Sequence, residues 1–449
     1  MNAHPDPAPP VRMAHLGLGA FHRAHQAWYT QQANQAEQDL WGYESFTGRS
    51  PTAARMLTAQ GCRYHLVIRG PEHDRIERIS SIVRASHGGS RRRMRAVLAA
   101  PSTALASLTV TEAGYHLDAR GELDSSSPAV VGDLSAVRAG GDGSLTTAVG
   151  RLVDGLISRR DAGAGGIALV SCDNIGSNGA VLERAVLGFA AEIDPGLANW
   201  IEDEVGFVST MVDRITPALD ERMRASLPDF GQEADRMPVV AEPFTEWFLA
   251  GRFPAGRPAW EAGGARVVAD VAPFEERKLW ILNAGHSLLA YLGSLRGHAS
   301  VAEAMTDPVC VRALERLWDE AAPAIRLPRE EIRAARLGVA QRWRNPRIEH
   351  LLRQISRDGL HKLRVRLAPV LVLWREHGWG LPEGQLALLG TWVQAVRAGV
   401  SEDVSAPQLR EGTLDDGVRR GLAMIAPSLA GDEAMIASAL AAARAAQSG

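Results

Sequence analysis

The first 270 residues alternate short apolar runs with longer stretches of helical periodicity. Apolar runs of this length, bounded by glycine or polar residues, are typical of buried strands, and helices between them indicate a parallel sheet. The predicted strands span residues 11–18, 43–47, 64–68, 79–83, 105–111 and 166–172, and the clearest helices span residues 20–36 and 145–159. The N-terminal part is therefore predicted to be an α/β domain.

The pattern changes near residue 273. From residue 274 onward the apolar positions follow mostly helical periodicity, interrupted by prolines, and residues 431–447 form an alanine-rich helix. We therefore predict an α/β fold class with two domains, an α/β domain over residues 1–270 followed by an all-helical domain over residues 271–449.

Composition narrows the class of protein. The chain has 449 residues, of which 46% are hydrophobic, and a formal net charge of -3. This balance argues against disorder and against nucleic acid as a partner, and no apolar run is long enough to cross a membrane. Residues 1–12 are polar and lack an apolar signal core, and three cysteines are scattered along the chain. We expect a cytoplasmic protein with a small-molecule substrate; the sequence leaves the oligomeric state open.

Lysine is rare in this chain. Only two of the 49 basic residues, Lys278 and Lys362, are lysines, and the others are arginines. An ammonium group can be tuned toward neutrality by burial, whereas a guanidinium does not deprotonate in proteins. A retained lysine is therefore either a chance survivor of this bias toward arginine or a residue needed for chemistry that arginine cannot perform.

A glycine turn follows the first predicted strand, in the stretch HLGLGAFHRAHQ over residues 15–26. Gly17 and Gly19 precede a helix that starts at Ala20 and Phe21, an arrangement that lets backbone N–H groups approach a pyrophosphate. The third glycine of the usual dinucleotide motif is absent, because His22 stands there. The alternative is a tight turn that packs a helix on a sheet.

Polar residues at other strand ends are further candidates, because open α/β sheets bind ligands beyond the carboxyl ends of their strands. They are Thr111 and Glu112, then Asp173 and Asn174, and Arg49 after the second strand. Arg49 stands where an acidic residue would bind a ribose 2′-hydroxyl, so NADP is possible besides NAD. The alternatives are ordinary turn residues and one more surface arginine.

The segment PFEERKLWILNAGHSLLAYLG, residues 273–293, opens the helical domain. At about 100° per residue, Glu275, Asn283 and His286 share one half of an α-helix with Lys278. A neutral lysine can accept a proton from an alcohol, while an amide and an imidazole hold the oxygen and a carboxylate passes the proton to solvent. The alternative is a helix with one solvated face.

These stretches together resemble the mannitol dehydrogenase family, the polyol-specific long-chain dehydrogenases. The most diagnostic element is the spacing K-x4-N-x2-H at Lys278, Asn283 and His286. The other motifs are HLGLGAFHRAHQ (15–26), SLTVTEAGY (107–115), SCDN (171–174) and MVDRITP (211–217).

The resemblance implies a Rossmann-type NAD(P)-binding domain over residues 1–270, a helical substrate and catalytic domain, a nicotinamide cofactor and no metal. It implies that Lys278 is the general base, that Asn174 and Asn283 bind the oxyanion, that His286 orients the substrate oxygen, that Glu275 serves a proton path and that Asp213 lies near the substrate. We expect Gly17, Gly19, Ala20, Phe21, Arg49, Thr111 and Glu112 to bind the cofactor.

Within the family, residues 241–260 and the sequence RSP at residues 49–51 look more like fructuronate reductases than mannitol dehydrogenases. The first expectation is therefore mannonate and fructuronate, and the second is mannitol and fructose or another polyol. Where members commonly read DGSxKLP, this chain reads DGLHKLR, which keeps Lys362 and places Arg357 and Arg364 beside it. We expect these three residues to contact the substrate, the arginines through a sugar-acid carboxylate.

Other classes fit the sequence less well. No tyrosine precedes a lysine by four residues, as short-chain dehydrogenases require, and no Cys/His set has catalytic zinc spacing. An enzyme like 6-phosphogluconate dehydrogenase shares the two-domain plan but needs a phosphate site. A non-catalytic dinucleotide sensor needs the glycine turn but not Lys278, Asn283 and His286 together.

Overall fold

The computed structural model describes residues 8–230, 235–347 and 350–447; most of the polar N-terminal segment, residues 1–7, lies outside the described residues. The chain divides into two compact units, Met1–Ala272 and Pro273–Gly449. In the described ranges, no helix combines the length and the apolar character that a membrane span requires.

The first unit contains eleven strands and nine helices among its described residues. In chain order they are β1 (Val11–Leu16), α1 (Ala20–Ala24), α2 (Gln26–Ala36), β2 (Gly42–Phe46), α3 (Thr52–Ala59), β3 (Tyr64–Arg69), β4 (Asp74–Ile79), β5 (Ile82–Ser86), α4 (Arg91–Leu98), β6 (Leu105–Leu108), α5 (Pro128–Ala139), α6 (Ala148–Asp161), β7 (Ile167–Ser171), α7 (Asn178–Ile193), α8 (Pro195–Glu204), β8 (Val205–Asp213), α9 (Glu221–Ala225), β9 (Val239–Ala241), β10 (Glu246–Ala250) and β11 (Arg266–Val267). Short 3₁₀ helices span Glu112–Tyr115 and Trp260–Gly263.

Eight of these strands form one sheet in the order β11-β10-β8-β7-β6-β1-β2-β5. The strands from β8 to β5 run parallel, and β10 pairs antiparallel with β8. Central strands such as β7 are buried along their whole length, as a parallel sheet covered by helices requires. Strands β4, β3 and β9 form a second, smaller sheet. The predicted α/β class of this part is confirmed.

Two local predictions in this unit are wrong. The apolar run 79–83 is not one strand: Ile79 ends β4 in the small sheet and Ile82 begins β5 in the large one, so the run crosses from one sheet to the other. The helix predicted over residues 20–36 is interrupted at His25, whose backbone (φ -119, ψ -85) leaves the helical region and separates α1 from α2.

The second unit is helical throughout its described residues, which confirms the prediction for residues after 273. Its α-helices are α10 (Ala272–Arg277), α11 (Ala284–Leu288), α12 (Val301–Ala304), α13 (Pro308–Ala321), α14 (Arg329–Trp343), α15 (Leu352–Ile355), α16 (Gly359–Arg366), α17 (Ala368–His377), α18 (Glu383–Arg397), α19 (Leu414–Ile425) and α20 (Glu433–Ala445). Short 3₁₀ helices span Ala322–Ala324, Pro407–Arg410 and Pro427–Leu429, and two π-helical stretches span Lys278–Asn283 and Leu289–Gly293.

Helix α18 lies at the centre of this unit. Twelve of its residues are buried, including polar Gln385 and Gln394. A helix that is buried nearly all round belongs to the middle of a bundle, and α13, α19 and α20 pack against it. This core fixes the helix that carries Lys278 and His286, because Trp280, Ile281 and Leu288 of that helix are part of the same apolar cluster.

Candidate active site

The turn after β1 accepts only glycine at its first position. Gly17 has φ +114, and a Cβ atom there would lie 2.2 Å from the carbonyl oxygen of Thr109. His15 holds this turn from below: its Nδ1 lies 2.8 Å from Ser107 Oγ and its Nε2 lies 3.1 Å from the Gly17 oxygen. Since a carbonyl only accepts, Nε2 donates and Nδ1 accepts from the serine hydroxyl. His15 was not among the predicted site residues, although its place two residues before the glycine is the signal.

The backbone next to Gly19 is open. The Gly19 N–H donates to the Gly17 oxygen at 2.6 Å, and α1 begins at Ala20 with no side chain capping its first turn. A Cβ atom on Gly19 would meet only the Gly17 oxygen, at 3.7 Å. The N–H groups of the first turn, which includes Phe21, are therefore uncapped beside an uncrowded glycine, and this arrangement fits the pyrophosphate of a dinucleotide.

The two histidines of α1 and its C-terminal junction serve the interior of the first unit. His22 bonds Ser45 through Nε2 at 2.9 Å and stacks on His15 with ring centroids 3.4 Å apart. His25 Nε2 lies 3.0 Å from the Glu246 carbonyl oxygen. Burial lowers the pKa of His15 to about 3 and the pKa of His22 well below its ordinary value. The ring of His22 thus fills the helix–sheet contact at the position of the missing third glycine.

The loop after β6 is set by a carboxylate from the next strand. Buried Asp173 accepts hydrogen bonds from the backbone N–H groups of Val110 and Thr111, at 3.1 and 2.7 Å, and from the Tyr115 hydroxyl at 2.7 Å. Thr111 takes a left-handed backbone conformation, φ +73, immediately before the 3₁₀ turn that starts at Glu112. Asp173 therefore positions the predicted cofactor residues of this loop. The SCDN motif alone does not reveal these contacts with the neighbouring loop.

The structure brings the predicted residues of the first unit to one edge of the sheet. Strands β8, β7, β6, β1 and β2 are parallel neighbours, so their carboxyl ends lie side by side. The residues at or just beyond those ends are Asp213, Asn174, Thr111, Gly17 and Arg49. Ligands of open α/β sheets bind at this edge.

The helix that opens the second unit is not a regular α-helix. Lys278 begins a π-helical stretch that ends at Asn283, and Glu275 lies on the α-helical turn before it. The angular positions predicted for a continuous α-helix are therefore wrong across this stretch. Because π hydrogen bonds join residues i and i+5, Asn283 follows Lys278 by about one turn instead of lying well around the helix from it. Lys278, Glu275 and Asn283 are all partly exposed.

His286 presents a nitrogen without a hydrogen-bond partner. Its Nε2 is buried and bonds none of the described residues, while the ring packs against Trp343 and His350 with centroids 4.6 and 5.4 Å away. Burial, and then the charge of His350, lowers the pKa of His286 well below its ordinary value. The imidazole is therefore neutral and can exchange a hydrogen bond with a ligand hydroxyl.

The segment DGLHKLR lies around the start of α16. The Lys362 ammonium donates to the carbonyl oxygens of Ile355 and Arg357, at 3.0 and 2.5 Å, and burial lowers its pKa. Arg357 and Arg364 are exposed, and Arg364 Nε donates to the Met424 oxygen at 3.1 Å. Lys362 thus fixes the turn that leads into the helix.

One group of metal-ligand residue types lies close together in the described part of the second unit. It consists of His298, Asp307 and Cys310. The Asp307 carboxylate accepts from Arg296 Nε at 2.5 Å and from His298 Nε2 at 3.0 Å, and burial raises the pKa of the Cys310 thiol to about 11. An arginine already bound to the carboxylate and a protonated thiol make these residues poor metal ligands.

Comparison with known proteins identifies both units. Residues 11–262 match the model of the mannitol dehydrogenase Rossmann domain, and residues 270–405 match that of the mannitol dehydrogenase C-terminal domain. D-mannonate oxidoreductase of Escherichia coli is 37% identical over 89% of this chain and 84% of its own. D-arabinitol 4-dehydrogenase of Ralstonia nicotianae is 36% identical over 80% and 77%, respectively.

A solved structure of mannitol 2-dehydrogenase from Pseudomonas fluorescens, a ternary complex with NAD and D-mannitol, is similar over 97% of this chain and 92% of that one. Its TM-score is 0.80 and its sequence identity is 30%. The described fold and both domain models agree with this similarity. The chain therefore belongs to the mannitol dehydrogenase family and is a dehydrogenase of polyols or sugar acids.

Proposed function

We propose that the protein interconverts D-mannonate and D-fructuronate with a nicotinamide cofactor and without a metal. The observation that carries this proposal is the helix with Lys278, Asn283 and His286, in which the buried His286 Nε2 bonds none of the described residues. The similarity to D-mannonate oxidoreductase over 89% of the chain supports the substrate. Oxidation of D-mannitol to fructose, or of another polyol, is the second candidate, since relatives of similar identity carry such names.

We propose NAD as the cofactor, with NADP as an alternative, bound at the carboxyl edge of the large sheet. The uncapped turn at Gly19, Ala20 and Phe21 suits the pyrophosphate, and Gly17 shapes that turn. Thr111 and Glu112 follow β6 at the same edge, and Arg49 follows β2. When bound, the nicotinamide takes up hydride from the alcohol carbon or returns it to the ketone.

In the oxidative direction, Lys278 in its neutral form accepts the hydroxyl proton of the substrate. The side-chain amide of Asn283 donates to the oxygen on which negative charge develops. Arg366 binds the backbone carbonyl of Asn283, and none of the described residues forms a hydrogen bond with the side-chain amide. His286 orients a substrate hydroxyl through Nε2. Glu275, one turn before Lys278 and partly exposed, passes the proton to solvent.

The remaining assigned residues stay predictions. Asn174 is proposed as a second amide donor to the reacting oxygen, and Asp213 is proposed to contact the substrate. Lys362 has two of its three donors bound to carbonyl oxygens, which leaves one N–H for a substrate. Arg357 and Arg364 are proposed to meet the substrate carboxylate.

A substrate panel tests this function. Purified protein is assayed for NADH or NADPH formation with D-mannonate, D-altronate, D-mannitol, D-sorbitol and D-arabinitol, each with NAD and with NADP. We expect the highest kcat/KM for D-mannonate with NAD. A higher value for a neutral polyol would transfer the assignment to the second candidate. Saturable cofactor binding without oxidation of any member would favour the non-catalytic sensor.

A further inference from the structure

Arg366 lies against the helix that carries the proposed base. It is the last residue of α16, and its Nη1 donates to the Asn283 carbonyl oxygen at 3.1 Å and to Ser287 Oγ at 2.9 Å. Asn283 ends the π-helical stretch that Lys278 begins. The guanidinium is therefore fixed by one nitrogen to the middle of this polar face.

The rest of the Arg366 guanidinium is open. Its Nε and Nη2 groups bond no acceptor among the described residues, and no carboxylate there pairs with its charge. Partial burial lowers the pKa of Arg366 to about 10, while the residue keeps some exposure, so its open edge is accessible to a ligand. A half-buried cation without a counter-ion is partly desolvated, and a ligand that supplies negative charge offsets that cost.

Arg159, another arginine without a paired carboxylate among the described residues, is fully buried and is treated differently by the fold. Arg159 donates to five backbone carbonyl oxygens through all three of its nitrogens. In that arginine every donor group has an acceptor, so its role is complete within the protein. The open Nε–Nη2 edge therefore distinguishes Arg366 from Arg159.

We propose that the Nε–Nη2 edge of Arg366 binds the carboxylate of the open-chain sugar acid and thereby selects acids over neutral polyols. This inference rests on the proposed function. The planar edge offers two parallel N–H groups, which match the two oxygens of a carboxylate. The terminal hydroxymethyl group of a polyol supplies no negative charge there and leaves the half-buried guanidinium unpaired. Arg366 is thus added as a proposed carboxylate contact to Arg357 and Arg364, whose side chains are exposed.

D-mannonate and D-mannitol make a matched pair for the test, because they differ only in one terminal group, a carboxylate against a hydroxymethyl. The variants are Arg366→Gln and Arg366→Lys, with Arg333→Gln, an exposed arginine of α14, as the control. For Arg366→Gln we expect kcat/KM for D-mannonate to fall about 10- to 100-fold, mainly through KM, and that for D-mannitol less than about 3-fold. Arg366→Lys keeps the charge without the planar edge and recovers part of the loss.

Each outcome decides between distinct possibilities. Equal losses on both substrates in a folded Arg366→Gln protein would assign Arg366 a structural role only. A selective loss in Arg357→Gln or Arg364→Gln, with Arg366→Gln unchanged, would move the carboxylate site to the exposed arginines. If Arg366→Gln does not fold, the KM of Arg366→Lys for the two substrates decides. Wild-type oxidation of D-mannitol but not D-mannonate rejects this inference and transfers the proposed function to its second candidate, whereas oxidation of neither rejects the proposed function altogether.

Discussion

Arg159 on α6 and Arg366 on α16 are both at least partly removed from water without a paired carboxylate among the described residues, but the protein binds their N–H groups to very different extents. Arg159 is buried and Arg366 is half-buried, and desolvation lowers the pKa of each to about 10. Arg159 is surrounded by carbonyl oxygens from two segments, residues 98–100 and 164–166, whereas Arg366 has two acceptors, both reached through a single nitrogen. A cation saturated by the protein holds a fold together, and a cation left partly open is available for recognition.

Two buried histidines repeat this contrast. His15 uses both ring nitrogens, toward Ser107 on one side and Gly17 on the other. His286 keeps Nε2 unbonded within the described residues, although burial lowers its pKa as well. This difference is why we propose a substrate contact for His286 and a structural role for His15.

The largest effect is expected from Lys278 on the helix face, because its loss should lower the catalytic rate without lowering stability. We expect Lys278→Ala to lower kcat on the order of 10³-fold, because proton abstraction loses its base. Cofactor affinity and the thermal midpoint stay close to those of the wild type. Steady-state kinetics and fluorescence titration with NADH measure the two effects. Near-normal turnover in this variant would reject Lys278 as the base.

The next largest effect concerns the saturated region. Arg159→Met leaves five backbone carbonyl oxygens without their donor, and we expect the free energy of unfolding to fall by about 3–5 kcal/mol. Activity per folded molecule is unchanged. Urea unfolding followed by circular dichroism gives the first quantity. Arg160→Met is the matched control, since the neighbouring Arg160 is partly exposed and paired with Asp194, and its loss costs less than about 1 kcal/mol.

A smaller effect follows from pH. The pKa of His15 is about 3 in the folded protein and close to its ordinary 6.5 when unfolded, so below pH 6.5 the unfolded state binds more protons. Its stability contribution is present above that value and is lost as the pH falls toward 3. At pH 5 we expect a loss of about 2 kcal/mol from His15 relative to pH 7.

The measurement is urea unfolding between pH 7 and pH 5, with His15→Gln beside the wild type. The variant has no imidazole to titrate, so its stability depends less on pH over this window. His377→Gln is the control, because His377 is exposed and its removal leaves the pH dependence unchanged. Parallel slopes for wild type and His15→Gln would contradict the assignment.

The smallest effect is expected at Arg49, an open cation that is exposed instead of buried. Arg49→Asp places a carboxylate beyond β2, where it can accept a ribose 2′-hydroxyl and repels a 2′-phosphate. We expect the ratio of kcat/KM for NAD over NADP to rise about 3- to 10-fold. Arg55→Asp on α3, with the same change of charge at another exposed arginine, leaves the ratio unchanged. A ratio that Arg49→Asp does not move would place Arg49 outside the cofactor site.

The sequence predicts the positions that local patterns determine. The glycine turn at Gly17, the strand end at Ser171 and the helical second unit all follow from apolar periodicity and turn chemistry. The run 79–83 misleads because two strands of different sheets meet in it, which no local period reveals. His15 escaped the site prediction because its role consists of contacts with residues many positions away. Asp173 was a strand-end candidate, but its contact with the loop after β6 could not be predicted for the same reason.

Arg366 shows the same limit in the helical unit. Nothing in its local sequence distinguishes it from the other arginines, whereas its contact with Asn283 joins segments 83 residues apart. Burial without a counter-ion is a property of the tertiary structure alone. The lysine scarcity pointed to Lys278 and Lys362 equally, and only the structure shows Lys362 bound to the carbonyl oxygens of its own turn.

The π-helical stretch between Lys278 and Asn283 has a consequence for the way that this helix can change. It acts as a one-residue insertion in the α-helical hydrogen-bond pattern, so the rotational position of His286 relative to Lys278 depends on a single extra amino acid. Removing any one residue from the stretch lets the pattern revert to the α register and swings His286 away from the face that carries the lysine. A substitution keeps the number of residues and therefore keeps this rotational position. An insertion or deletion in the stretch instead separates His286 from the helix face that carries Lys278.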